Sequence, residues 1–237
     1  MLIRVEQSRV IVDPEGVTGG EIIGRSTITG ETWVAARESP GRAFVDWQAP
    51  LGEPVVYRHG GVETPVASLE SFRRDELSSI DGRLVAPIDR SNSREWQVER
   101  DIHEFWPKGG SRPLILRGGP NRQSEPITFG ADAAASSMIE RLLEEPFLVV
   151  RHNRVRCPVR NCSIPAVRLF STRNGSVRYL GQDYNGEFNE WVLEGVEPRP
   201  PATPVPARTW ADIAQEHASW ADVAANHGSW AGVRDGA

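Results

Sequence analysis

Short apolar runs, separated by glycine and proline about every ten residues, fill the first sixty positions of this 237-residue chain. Runs of four to six residues are too short for stable helices and suit strands joined by tight turns. The spacing predicts strands over Leu2–Val5, Arg9–Val12, Glu21–Arg25, Thr32–Ala36, Arg42–Trp47 and Pro54–His59. Val10 and Val12 fall on one face of their strand, as do Phe44 and Asp46 on theirs. Gly19-Gly20 and Gly60-Gly61 mark turns. Regular short strands of this kind suit a β-sandwich.

The segment from Pro65 to Ile80, with Ser68-Leu69-Glu70-Ser71-Phe72, reads as a strand or a connecting turn. Gly82 to Arg90 reads as a linker into a second block of strands. There, Glu95 to Ile102 alternates Trp96, Val98, Arg100 and Ile102, the period of a half-buried strand. Pro113–Arg117 and Ile127–Phe129 are two more. Asp132 to Glu145 changes period: Met138, Ile139, Leu142 and Leu143 recur at helical spacing, Ala133 to Ala135 favour helix, and Pro146 stops it. Phe147–Arg151, Arg154–Val159, Val167–Thr172 and Glu187–Gly195 read as strands, with turns expected at Asn174-Gly175 and Asn185-Gly186. The chain is therefore expected to be mainly β, with a sandwich over residues 1–80 and a β-rich domain with one helix over 81–197. A C-terminal arm of short helices follows over 198–237. The arm starts with Arg199-Pro200-Pro201-Ala202-Thr203-Pro204-Val205-Pro206, a stiff polyproline-type spacer expected to hold the rest away from the body.

The arm carries an internal repeat. Thr209-Trp210-Ala211-Asp212-Ile213-Ala214 recurs ten residues later as Ser219-Trp220-Ala221-Asp222-Val223-Ala224 and begins again at Ser229-Trp230-Ala231-Gly232-Val233. In each word the hydroxyl can cap a helix, and Asp212 or Asp222 sits in the first turn, where the dipole favours negative charge. Gly232 replaces that aspartate in the third word and weakens its helix. Two-turn helices do not stand alone in water. Each offers one large tryptophan, the side chain that most often anchors interfaces. The residues expected to dock onto another chain are Trp210, Asp212, Ile213, Trp220, Asp222, Val223, Trp230 and Val233. His217 and His227 share the ten-residue spacing and sit near helix ends, where a cation is mildly favoured.

The remaining features narrow the function. Net charge is −5 with arginines scattered, so no basic stripe for nucleic acid is expected. No apolar run approaches the roughly 20 residues of a membrane span, and Met1-Leu2-Ile3-Arg4-Val5 reads as a strand rather than an export signal. Lys108 is the only lysine, the pattern of a GC-rich genome. Cys157 and Cys162 flank Pro158-Val159-Arg160-Asn161, and His152 is near. Zinc usually takes four ligands, so this set is incomplete, and reduced thiols or a small disulfide is the expectation, with no metal or cofactor. No Gly-x-Ser-x-Gly elbow, His-Glu-x-x-His or Walker loop is present. Arg117-Gly118-Gly119-Pro120-Asn121 does not open a helix and reads as a hairpin turn. Trp33, Trp47, Trp96, Trp106 and Trp191 lie in β-rich segments. Exposed, they could stack on sugars; core positions are the commoner case.

Several segments together resemble a known family. Asp46-Trp47-Gln48-Ala49-Pro50-Leu51-Gly52-Glu53-Pro54-Val55-Val56-Tyr57-Arg58 is similar to the strand-turn-strand signature in the N-terminal domain of minor tail proteins of siphophages that infect actinobacteria. Gly82 to Asp89 through Arg112 to Leu116 resembles their second segment, and Ala131 to Arg151 their helix between strands. Phe188 to Glu197 resembles the closing strand, and the Trp-Ala-Asp words after a Pro-rich exit are characteristic. The likeness implies a fibronectin III-like first domain and a structural, non-enzymatic distal tail protein in the virion. Its subunits would form a ring, usually of six, that joins the tail tube to the tip hub and other minor tail proteins, with no nucleic acid or membrane partner. The alternatives are a carbohydrate-binding module contacting the host envelope, and an enzyme acting on cell wall.

Overall fold

The computed structural model describes residues 1–6, 8–69, 75–90, 102–105, 114–117, 126–159, 162, 164–183, 186–207, 213–214, 217 and 219–226, with backbone only at 90, 102–105, 114–117, 182–183 and 186–187. The protein is mainly β. It divides into two compact units that are not sequential: residues 1–87, 149–168 and 200–237 form one, and 88–148 with 169–199 the other. The expected boundaries at 80/81 and 197/198 are sequential, whereas the observed units exchange segments.

In the first unit, β1 (Leu2–Glu6), β2 (Arg9–Asp13), β3 (Ile22–Ser26), β4 (Thr32–Ala36), β5 (Phe44–Asp46) and β6 (Pro54–His59) match the six short runs closely. β7 (Val62–Glu63) and β8 (Ala67–Ser68) are two-residue strands pairing with β6. One sheet runs β4-β3-β6-β7; another runs β1-β2-β5 and ends on β17 (Val205–Pro206). A single core draws on both: Val10, Val12 and Phe44 from one, and Ile22, Ala36, Val55 and Tyr57 from the other, closed by Ala49, Leu51 and Leu69. Val10 and Val12, expected on one face of their strand, both lie in this core, while Ile11 between them joins a second cluster with Ala43 and Val45.

From residue 75 onward the chain forms β9 (Asp75–Ser79), β10 (Val85–Arg90), β11 (Ile102–Phe105), β12 (Leu114–Arg117), β13 (Ile127–Asp132), β14 (Leu148–His152), β15 (Val167–Asp183) and β16 (Gly186–Val196). Six of these close a barrel in the order β10-β13-β16-β15-β14-β9, and β11 pairs with β12 separately. The helix α1 (Ala133–Leu142) starts where Asp132 Oδ1 accepts the Ala135 amide at 2.8 Å. It buries Ala135, Ser136, Ile139 and Leu142 and packs on β13 and β16. The indole N–H of Trp191 donates to Ser136 Oγ at 3.1 Å, which gives that buried ring a polar partner.

Four expectations are corrected. Gly82–Arg90 is not a linker: its second part is β10, with Ala86 and Ile88 buried on alternate positions. Arg154–Val159 is not a strand but a turn, closed where Asn153 Oδ1 accepts the Arg156 amide. Asn174-Gly175 is not a turn: it lies inside β15 beside a bulge, and a Cβ at Gly175 would press on Leu193 at 3.2 Å. The proline-rich segment is not a free spacer, because Val205 pairs with Val45, Pro206 with Phe44, and Val205 and Ala207 pack on Ile11, Ala43 and Val45. Val205 brings an apolar side chain to that face, and proline, which lacks an N–H, is tolerated on a sheet's edge strand. The readings over Glu70–Phe72 and Glu95–Asp101, the hairpin turn at 118–121 and Asn185 lie outside the described residues.

Candidate functional site

Two groups of side chains stand out, and both belong to the first unit. One is the arm. A second helix, α2 (Trp220–Asn226), follows Ser219, whose Oγ accepts the Asp222 amide at 3.3 Å, so the expected cap is in place. Ile213 and Val223 are buried together, while Trp220 is 63% exposed. The first two words therefore meet through Ile213 and Val223, and the Trp220 indole is exposed. The His217 Nδ1 atom lies 3.4 Å from Asp222 Oδ2, and Asn226 Nδ2 donates to Asp222 Oδ1 at 3.0 Å, so Asp222 holds the short helix at both ends. Trp210, Asp212, Trp230, Val233 and His227 lie outside the described residues.

The other group was only half visible in the sequence. β14 ends at His152, and the chain then makes a loop back to Ala166, whose carbonyl accepts the His152 amide at 2.8 Å. Cys157 and Cys162 sit on that loop. Their sulfurs and a ring nitrogen of His152 all lie within 4.8 Å of one another, with Cys162 Sγ 3.5 Å from His152 Nε2. Behind the ring, His152 Nδ1 is 2.6 Å from Asp75 Oδ1 on β9. Asp75 is 77 positions upstream in sequence, so no local spacing could link it to the cysteines; only the pairing of β9 with β14 does.

The loop is held to the body at its start. Asn153 lies against Gly52, where an added Cβ would come within 2.6 Å of its amide oxygen. Gly52 also has φ +74°, a conformation that side-chain-bearing residues rarely adopt. Arg154 Nε donates to the buried Glu53 carboxylate at 2.8 Å, and its Nη2 donates to Glu31 at 2.7 Å. Burial opposes the Arg154 charge, but the two carboxylates outweigh it and raise its pKa.

Charges within the cluster are interdependent. Burial presses the His152 pKa down, yet the Asp75 hydrogen bond and charge, with Cys162, lift it above its ordinary value. Burial pushes Cys162 up, but the Ile164 backbone, Cys157 and His152 bring it below the usual thiol range. Burial leads in raising Cys157, and the neighbouring Cys162 and Asp75 add to it. The thiols are not bonded to each other. Such a set can bind a soft cation, form a disulfide or present a thiolate nucleophile.

A third feature is structural. The Arg151 guanidinium is fully buried and donates to the carbonyls of Ala49 (3.2 Å) and Trp47 (3.1 Å) and to Ser78 Oγ (2.7 Å). The buried Asp46 carboxylate accepts from Tyr57 Oη at 2.7 Å and Trp33 Nε1 at 2.8 Å. Trp33 meets Tyr57 edge-on, with ring centroids 6.3 Å apart. Trp33 is thus tied into the core, as Trp191 is; Trp47 is half-buried, and Trp96 and Trp106 lie outside the described residues. Among the described residues, no helix is long and apolar enough to cross a membrane.

No protein-family model and no curated protein matches this chain.

Proposed function

We propose that this chain is a structural component of a bacteriophage tail tip, a distal tail protein that assembles with itself and with neighbouring tail proteins. In this reading the first unit's two sheets are the fibronectin III-like module, and the repeat arm is a docking element in the virion. No reaction is assigned to the chain. The observation that carries the reading is the exposure of Trp220 beside the buried Ile213 and Val223. The helix buries Val223 against Ile213 and keeps Trp220 63% exposed, and an exposed tryptophan is a side chain suited to a partner's pocket. Arms repeated around a ring would act together, since each docking event raises the effective concentration for the next. A ring of six, with the tail tube and tip hub as neighbours, completes the proposal. The satisfied Trp33 and Trp191 favour this reading over glycan binding by the body.

The test is assembly of phage tails carrying Trp220→Ala, or a chain ending after Ala207 so that β17 is kept. Trp220→Ala should change folding stability by less than about 0.5 kcal/mol, as exposed substitutions do, while tip assembly drops sharply. Normal tails from the truncated chain would contradict the docking role.

A further inference from the structure

We propose that His152, Cys157 and Cys162 bind a zinc ion, at a site that staples the loop over residues 153–165. The inference goes beyond the tail-tip reading and does not depend on it. Geometry carries it. On a tetrahedral zinc with bonds of about 2.3 Å to sulfur and 2.05 Å to nitrogen, a sulfur and a nitrogen stand about 3.6 Å apart and two sulfurs about 3.8 Å. Cys162 Sγ and His152 Nε2 already stand at 3.5 Å. The second thiol lies within 4.8 Å of both, so a side-chain adjustment of at most about 1 Å completes a face of the tetrahedron.

Orientation points the same way. The His152 ring could present either nitrogen, and Asp75 at 2.6 Å takes Nδ1. A hydrogen on Nδ1, donated to Asp75, leaves the Nε2 lone pair facing the thiols. This carboxylate–imidazole–metal arrangement fixes the tautomer and strengthens the imidazole as a ligand. Two thiols and an imidazole select zinc among the common ions: magnesium and calcium take oxygen ligands, and iron–sulfur clusters generally need four protein ligands. Binding releases the two thiol protons, and two thiolates then neutralise the dication. Three protein ligands leave the fourth position to a water.

The surroundings are built to hold such a centre. His152 stands on a strand that is buried throughout, and the next two residues are pinned by Gly52, Glu53 and Glu31. Between Asn153 and Ala166 the described residues form no helix or strand. A loop of that length gains from a cross-link near its neck. A lone nucleophile would need one thiol beside the His–Asp pair; here two converge on it.

The experiment is elemental analysis of the full chain, purified without chelator. The expected result is about one zinc per chain, falling at least tenfold in Cys157→Ser and in Cys162→Ser. Cobalt substituted for zinc should give thiolate-to-cobalt charge-transfer absorption and the strong visible bands of a tetrahedral ion. Should the serine variants fail to fold, the wild type decides: chelation should remove the zinc, lower the melting temperature and make both thiols reactive, and added zinc should reverse all three. Asp75→Asn should weaken zinc binding by 10- to 100-fold. A folded wild-type chain that takes up no zinc overturns the proposal. So does a mass showing the two-hydrogen loss of a Cys157–Cys162 disulfide in freshly purified protein under reducing conditions, or zinc binding that survives Cys162→Ser.

Discussion

Asp46 gathers the buried polarity of the first unit. Burial raises its pKa above 3.8, and the hydrogen bonds from Tyr57, Trp33 and the Gln48 amide, with the Arg151 charge, offset only part of that. A carboxyl whose folded pKa is raised binds its proton more tightly in the native state. Its linked stabilisation is fully present below the unfolded value and is lost as pH rises through the folded one. Replacement by asparagine removes the titration. The stability of the wild type relative to Asp46→Asn should therefore fall between acidic and neutral pH, as followed by urea unfolding at a series of pH values. A gap that stays flat or widens with pH would refute this. Single residues also mark where the sequence stops being legible. Cys157, Cys162 and His152 could be picked out by their closeness in the chain, but Asp75 could not. The Arg151 side chain, at the end of the strand expected over Phe147–Arg151, is buried where three acceptors from other segments meet its guanidinium.

Elements were read best where their period is local. β1 to β6 and α1 follow from short apolar runs, glycine turns and helical spacing, all contained in short windows. Misreadings came where long-range pairing decides. Arg154–Val159 has the alternation of a strand, yet Val155 and Val159 are exposed, and Asn153 closes a turn there instead. The proline run looked like a spacer because β17 is only two residues long and its partner, β5, is far away in sequence. That short strand makes its own prediction. Val205→Asp would set a charge beside Ile11, Ala43 and Val45. It should destabilise the chain by about 1–2 kcal/mol and speed proteolytic removal of the arm, whereas Val205→Thr should be close to neutral. An unchanged urea midpoint and cleavage rate for Val205→Asp would show that β17 does not anchor the arm.

At the scale of the whole molecule, the chain gives each of its two units more than one segment, with residues 149–168 and 200–237 returning to the first. Such interleaving was not legible, because composition shifts mark boundaries along the chain and not returns to an earlier unit. The mainly β class was legible, as it follows from the strand spacing itself. Assembly is the claim at this scale. Exposed Val177, Tyr179 and Leu180 on β15 and Phe188 on β16 add apolar surface on the long hairpin, and obligate ring interfaces need such surface. The most direct measurement is the solution mass of the purified full chain by light scattering across a concentration series, with particle images of the largest species. The account predicts a closed ring; six chains of 26.2 kDa would weigh about 157 kDa. A monomer at every concentration, with no ring in the images, would contradict it.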